Sequence, residues 1–343
     1  MYEKWLEKDR CFVIAELGVN HNGSLEMAVE LIDVARKAGA DAVKFQTFFA
    51  EDLVSKQARK AKYQTENDPT QESQFEMLKR LELPHENWEE IRRYCQKSGI
   101  EFLSTPFGER AADLLQNLDV GAYKVSSGDL THLPFLRNLA KRERPILLSS
   151  GMGNLQEVAE AVEAITNCGN DQIGVLHCVS CYPSAPEDSN LRSMATMEQA
   201  FQLPIGWSDH TQGETIGLAA VAMGAKIIEK HFTLSRDLPG PDHKASLEPN
   251  ELANFVESIR MVDDAKGSGV KKPTLAEQET ATVARRSLVV SKEVKVGEIL
   301  TKANLSVVRP QGDVPPKYYD VFLGKKTNRA IAAGTTVTWD MIG

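Results

Sequence analysis

The sequence predicts a (β/α)8 TIM barrel, an α/β fold, followed by a small β-rich C-terminal module. Three observations predict it. The first three-quarters of the 343-residue chain repeats one unit, a short apolar run, a turn and a helical pattern. Eight such runs alternate with helical segments over about 250 residues, the proportions of a closed parallel barrel. A Gly-, Lys- and Thr-rich stretch then separates the last ~60 residues from the repeat.

The eight runs are CFVIAEL (11–17), AVKFQT (42–47), EFLSTP (101–106), AYKVSS (122–127), PILLSS (145–150), IGVLHCVS (173–180), PIGWSDH (204–210) and KIIEKHFT (226–233). Segment 24–38 is the clearest helix, with Leu25, Ala28, Val29, Ile32 and Ala35 on one face and Ser24 as N-cap. The last barrel helix is expected at about 249–266. A long insertion after the second strand, 48–85, holds a polar stretch, QTENDPTQES, and an amphipathic segment, FEMLKRLEL. Its length suits a lid or an oligomer contact. The organisation expected is a barrel over 1–266, a flexible linker over 267–283 and a module over 284–343.

Within the module, VGEILTKANL (296–305) echoes AGTTVTWDMI (333–342), pairing Gly297 with Gly334, Leu300 with Val337, Thr301 with Thr338 and Leu305 with Ile342. The echo predicts a compact β-rich unit with two short helical turns and little core of its own. Arg309, between a strand and a proline in VVRPQGD, is placed to present one cation to another surface.

Composition narrows the functional classes. Hydrophobic residues make up 42% and charged residues 26%, ordinary for a globular protein, and the apolar runs are too short to span a bilayer. The opening MYEKWLEKDR lacks the apolar stretch of a secretory signal. Five scattered cysteines without a C-x-x-C motif point to reduced thiols, hence a cytoplasmic location. The net charge of −8 and the absence of a basic tract argue against nucleic acid as partner.

Each strand begins apolar and ends polar. Glu16, Lys44, Gln46, Ser104, Thr105, Lys124, Ser126, Ser127, Ser149, Ser150, Ser180, His210, Glu229 and His231 lie at or near the strand ends. The C-terminal ends of barrel strands surround the active site. Hydroxyls and two lysines converging there suit a phosphate or carboxylate ligand, and the small residues of SSG and LSSG let backbone approach an anion. Either lysine also fits a Schiff base. His210 and His231, on adjacent strand ends, fit two ligands of an open metal site, or hydrogen-bonding core positions. His177 and His243 are weaker ligand candidates, and His21 orders its own turn. Glu16 fits a general base, or a structural partner for Lys44 or Lys124.

AELGVNHNGS, AVKFQT, FLSTPF, YKVSSGD, LSSGM, LHCVSCYP, GWSDHT, EKHFTLSRDLPGPDHKASLEP and VVRPQGD, in this order over almost the whole chain, resemble the sialic acid synthase family of the bacterial N-acetylneuraminate type. The C-terminal module resembles that family's antifreeze-like (SAF) domain. The resemblance implies a metal-dependent transferase that condenses phosphoenolpyruvate with open-chain N-acetylmannosamine and water. The products would be N-acetylneuraminate and phosphate, released by C–O cleavage. Related members make legionaminic or pseudaminic acid, or act on 6-phosphorylated sugars. A Schiff-base aldolase through Lys124 and a non-catalytic carbohydrate-binding protein are the readings from other classes.

By the same resemblance, His210 and His231 hold a divalent metal, Mn2+ with Mg2+ or Co2+ as substitutes. Glu16 handles the attacking water. Lys44, Thr105, Lys124, Ser127, Ser149 and Ser208 fall on phosphoenolpyruvate-binding positions. Gln46, Asp129, Tyr182 and Asp242 fall on sugar-binding positions. Arg309 reaches the active site of the other subunit of a homodimer and meets the sugar's N-acyl group. Asp129 stands where some members carry Glu, and Ser180 where some carry Asn; both departures bear on which amino sugar is used.

Overall fold

A computed structural model of the chain describes residues 1–7, 9–61, 64–65 and 70–343. Part of the polar stretch of the insertion therefore lies outside the described residues. The barrel strands are β1 (Phe12–Gly18), β2 (Ala42–Thr47), β3 (Glu101–Pro106), β4 (Tyr123–Val125), β5 (Ile146–Ser149), β6 (Ile173–Cys178), β7 (Ile205–Asp209) and β8 (Ile227–His231). They form a closed barrel in sequence order, every pair parallel, with β8 returning to β1. Several strands stop one or two residues short of the apolar runs seen in sequence. Ser126, Ser127, Ser150, Ser180 and His210 have left the ladder and begin the loops of the C-terminal mouth.

Alternation along each strand divides the side chains between two cores. Outward residues such as Val13, Ala15, Val43, Phe45, Phe102, Val125, Leu148, Val175 and Trp207 pack beneath the surrounding helices. Inward residues Phe12, Ile14, Ala42, Leu103, Ala122, Leu147, Leu176 and Ile227 form a separate cluster inside the barrel. Trp5, on the short helix Tyr2–Trp5, joins that inner cluster and is fully buried. Gly174 makes room for it, since a Cβ there would lie 3.2 Å from the indole and 3.0 Å from Leu147. The N-terminal end of the barrel is thus filled by apolar side chains.

Helix Leu25–Ala38 starts at Ser24, whose hydroxyl accepts the Met27 N–H, and ends at Gly39 in the left-handed region. Its buried face is Ala28, Leu31, Ile32 and Ala35; Val29 and Leu25 lie at the margin. The insertion folds into helices Ala50–Leu53 and Gln74–Leu81, the second opened by a Ser73–Glu76 capping box. Phe48, Ala50, Met77, Leu78 and Leu81 pack with Val19 in a cluster of their own, joined by Leu53, Val54 and Phe107. The last barrel helix is Pro249–Lys266.

The chain divides into two compact units, Met1–Ser268 and Gly269–Gly343. The expected flexible linker is corrected in part: Leu275–Ala284 is a helix, capped by Thr274 and Glu277. A Thr-x-x-Glu capping box supplies helix-start hydrogen bonds that its Thr-rich composition alone hides. In the second unit β9 (Ser287–Val290) and β10 (Leu305–Val308) pair antiparallel. Leu288, Val290, Val294, Leu300, Leu305, Val314, Phe322, Ile331, Val337 and Met341 form its own core, more than the sequence led us to expect. The echo is structural: Gly297 and Gly334 have φ of 78° and 84°, and Leu300 and Val337 are both fully buried. All five cysteines are free, and no helix among the described residues is long and apolar enough to cross a membrane.

Trp5→Ala should empty the base of the barrel. The expected loss is about 3–5 kcal/mol of unfolding free energy, read by urea denaturation.

Candidate active site

Followed toward the C-terminal mouth, the inward positions change from apolar to polar. Ile14 gives way to Glu16, Ala42 to Lys44 and Gln46, Leu103 to Thr105 and Ala122 to Lys124. On the far side Leu147 gives way to Ser149, Leu176 to Cys178 and Ile227 to Glu229 and His231, while Ser208 and His210 follow Gly206 on β7. These polar residues line a cavity of about 460 Å³. The barrel register sets Glu16 beside both Lys44 and His231, and Ser208 beside Glu229.

At the floor of the cavity two carboxylates and two ammonium groups are buried together. Lys44 Nζ lies 2.8 Å from Glu16 Oε2 in an ion pair that lacks hydrogen-bond angles, and 3.8 Å from Glu229 Oε2. Lys124 Nζ lies 3.6 Å from Glu229 Oε2. Lys44 donates to Thr105 Oγ1 (3.2 Å), Ser208 to Glu229 Oε1 (2.9 Å) and Gln46 to Glu16 Oε1 (3.4 Å). Burial raises the Glu16 pKa, and Glu229 raises it further, against the opposing pull of Lys44. For Glu229 burial is outweighed by both lysines and the Ser208 hydroxyl, so its pKa falls. Burial depresses Lys124, whereas in Lys44 the two glutamates overcome burial and raise it.

On the β4 to β6 side, Ser127 Oγ accepts the Gly151 N–H (3.0 Å) and lies 3.1 Å from Cys178 Sγ. Gly151 is required there, because a Cβ would come within 2.3 Å of Ser180 Oγ. Ser127, Ser149 and the two lysines thus face one cavity.

His210 and His231 lie with ring centroids 5.7 Å apart, and Tyr182 sits 4.1 Å from the first and 5.9 Å from the second. His210 Nδ1 is 2.6 Å from the Val179 carbonyl, which only accepts. Nδ1 therefore carries the proton and Nε2 keeps its lone pair. His231 Nδ1 is buried without a hydrogen-bond partner among the described residues. Burial pushes the His210 pKa down to about 4 and that of His231 well down, so both imidazoles are neutral. Neutral, buried, under-partnered imidazoles fit a divalent metal. Among the described residues no group of three or more His, Cys, Asp or Glu could close a metal site, so a metal held by these two would keep open positions.

A second buried pair backs the histidines from the outer face of the barrel. Lys230 Nζ on β8 donates to Asp209 Oδ2 on β7 (2.9 Å) and to the Thr211 carbonyl (2.5 Å), while Asp209 Oδ1 accepts from Thr211 N and Oγ1. Each member is the chain neighbour of one histidine.

The structure brings Glu16, Lys44, Gln46, Thr105, Lys124, Ser127, Ser149, Tyr182, Ser208, His210 and His231 into the one cavity. Asp242 is just behind it: a Cβ on Gly18 would lie 3.4 Å from Asp242 Oδ2 and 3.3 Å from Glu16 Oε1. Burial raises the Asp242 pKa to about 6. Asp129, expected among the sugar-binding residues, does not line the cavity; its carboxylate accepts the hydroxyl of Ser126, which does. Arg309 is exposed on the second unit. The weaker histidines are bound elsewhere, His177 to Ser189 O (2.9 Å) and His243 to Thr233 Oγ1 (2.7 Å), while His21 accepts the Gly23 N–H. Sequence reasoning gave Glu229 no role, although its spacing of two from His231 puts both on the inner face. It also missed Cys178 and the insertion residues Leu53, Val54, Gln64, Gln74 and Leu78 on the cavity wall.

Fold and cavity together define a parallel-barrel protein whose C-terminal mouth is equipped for an anionic ligand. The NeuB family model matches residues 31–271 and the SAF domain model residues 285–343, and the chain belongs to the NeuB family. It is 43% identical over 336 residues to the N,N'-diacetyllegionaminic acid synthase of Legionella pneumophila, covering 97% of this chain and 94% of that one. Human N-acetylneuraminate-9-phosphate synthase is 36% identical over 335 residues, covering 97% and 92%. Among solved structures, an N-acetylneuraminic acid synthetase from Leptospira borgpetersenii in complex with citrate superposes with a TM-score of 0.70. It shares 33% identity, covering 79% of this chain and 90% of that one.

Glu229→Gln would leave two buried lysines against one carboxylate. The expected cost is about 3 kcal/mol in urea denaturation, because an uncompensated buried charge remains. Saturating inorganic phosphate should shrink that loss by supplying the missing negative charge.

Proposed function

We propose that this protein condenses phosphoenolpyruvate with the open-chain aldehyde of an N-acylated amino sugar, with water, to give a nine-carbon 2-keto acid and phosphate. The observation that carries the reading is the single cavity in which two buried lysines and several hydroxyls adjoin a carboxylate of raised pKa and two neutral imidazoles. The two named relatives make different sugar acids, which supports the shared chemistry over any one sugar.

Lys44, Lys124, Ser127, Ser149, Thr105 and Ser208 hold the phosphate and carboxylate of phosphoenolpyruvate, with the lysine charges already fixed in place by Glu16 and Glu229. A divalent metal, held by His210 and His231, would supply Lewis acidity to the aldehyde oxygen. Carbon 3 of phosphoenolpyruvate bonds to the aldehyde carbon, and the electrons come from its double bond, leaving carbon 2 cationic. Glu16 takes a proton from water as the water oxygen bonds to carbon 2; its raised pKa suits it to hold that proton. The aldehyde oxygen, which receives the electrons of its double bond as the new C–C bond forms, takes up that proton and becomes a hydroxyl; the adduct then breaks its C–O bond to phosphate, its carbon 2 hydroxyl gives its proton to the departing phosphate, and carbon 2 becomes the ketone. Gln46, Tyr182 and Asp242 orient the sugar. In a homodimer, Arg309 of the partner's module would meet the N-acyl oxygen; its exposure on the second unit supports this.

The depressed pKa of Lys124 favours a second reading, a Schiff-base aldolase. One experiment separates them. Chelation should lower phosphate release at least ~100-fold, with recovery on adding Mn2+, and His210→Ala or His231→Ala should remove the Mn2+ response. Chelator-resistant turnover together with borohydride trapping of pyruvate on Lys124 would establish the aldolase instead.

Glu16→Gln should lower kcat about 10²–10⁴-fold while phosphoenolpyruvate still binds in calorimetry. Arg309→Ala should also be impaired. Refolding the two variants together tests the partnership: activity returns if Arg309 acts on the other subunit, and stays lost if each barrel depends on its own module.

A further inference from the structure

On the outer face of β7 and β8 the side chains in line with Asp209 and Lys230 are apolar, Ile205 and Trp207 on one strand and Ile228 on the other. At the last outward position of each strand the chain instead buries an ion pair. Lys230 and Asp209 are register partners, and their side chains are 1% and 0% exposed. Helix Thr215–Ala222 packs closely over them: a Cβ on its Gly217 would lie 3.0 Å from Asp209 Oδ2 and 2.6 Å from the Phe255 ring. A pair so deep gains little over apolar residues of the same volume, because desolvation offsets its attraction. Stability alone therefore does not account for it.

The pair holds backbone. Asp209 Oδ1 accepts from Thr211 N (2.9 Å) and Thr211 Oγ1 (2.7 Å), and Lys230 Nζ donates to the Thr211 carbonyl (2.5 Å). His210 is enclosed in that ring of bonds, between Asp209 and Thr211, and its own carbonyl accepts the Ser184 N–H (2.9 Å). The β7–β8 ladder ends at Asp209 and Lys230, and the Lys230–Thr211 bond carries the connection past it. His231 follows Lys230 directly. The Val179 carbonyl orients the His210 ring, whereas His231 Nδ1 has no hydrogen-bond partner among the described residues. The spacing of the two rings is thus left to the backbone that bears them.

We propose that Asp209 and Lys230 are positioning residues for the metal site: their ion pair, closed through Thr211, fixes the separation at which His210 and His231 meet one divalent cation. The inference rests on the proposed metal role of the two histidines. It concerns side chains on the outer face of the barrel, away from the cavity. A site with two protein ligands depends on such a clamp more than a closed one. Four ligands give the ion enough bonds to draw the chain into place, while with two any freedom of either ring weakens binding directly.

Mn2+ binding to the full-length, metal-stripped protein tests this, followed by the electron paramagnetic resonance of free Mn2+ with no substrate present. Asp209→Asn, Lys230→Met and the double variant should each bind Mn2+ about 10–100-fold more weakly, the usual effect of removing a group that orients a metal ligand. The double variant leaves no uncompensated buried charge, so its urea midpoint should lie above that of either single variant while its Mn2+ affinity stays low. A purely structural pair would let affinity recover with the midpoint. Phosphoenolpyruvate affinity in calorimetry should stay near that of the wild type, because Lys44 and Lys124 are untouched. A loss of Mn2+ affinity under about fivefold in the folded variants overturns the inference while the metal reading stands. Phosphoenolpyruvate binding lost to the same degree as Mn2+ binding would reveal a barrel-wide change and overturn it too. No Mn2+ binding by the wild type, or equal binding by His210→Ala and His231→Ala, overturns the metal reading itself, and this inference with it.

Discussion

Closure of the barrel is the constraint on which everything else depends. With β8 paired to β1 there is no free edge, and no strand can slip by one residue without turning its inner side chains outward. The same parity that puts Ile14, Leu147 and Ile227 into the inner core puts Glu16, Ser149 and Glu229 into the cavity above it. Trp5 completes the arrangement from below. It fills the end of the barrel that has no chemistry, so the inner space available to a ligand is confined to the C-terminal mouth.

Burying four charges at that mouth costs solvation, and it is tolerable because they are mutually compensating. Glu229 touches both lysines while Glu16 touches one. The asymmetry drives the two carboxylates apart: Glu229 is held ionised as a counter-ion, and Glu16 is left with a raised affinity for protons. Two chemically identical side chains thereby acquire different tasks from their surroundings alone. The lysines are held in place before any anion arrives, which lowers the ordering cost of binding.

The histidines are set with comparable economy. The Asp209–Lys230 pair ties β7 to β8 on the outer surface, one residue from His210 and His231, while the Val179 carbonyl fixes the His210 tautomer from the loop side. The insertion is organised differently. Its helices pack on Val19 and Phe107 rather than entering the ladder, so it forms a wall of the cavity without contributing to barrel closure.

The sequence by itself determined the strand count, the gradient from apolar to polar along each strand, and the histidines, lysines and Glu16 of the site. Those features repeat locally, in runs of five to eight residues whose alternation is visible one strand at a time. It did not determine the helix Leu275–Ala284, because a Thr-rich composition masks a capping box, nor the extent of the C-terminal core. Only the tertiary structure decided that Glu229 bridges the two lysines and that Asp129 turns to Ser126 instead of the cavity. It alone brought Gln64 and Gln74 onto the wall. Each of these depends on which residues from distant strands and loops share a few ångströms of low-dielectric space. That proximity is fixed by barrel register and loop packing, neither of which has a local signature in the chain.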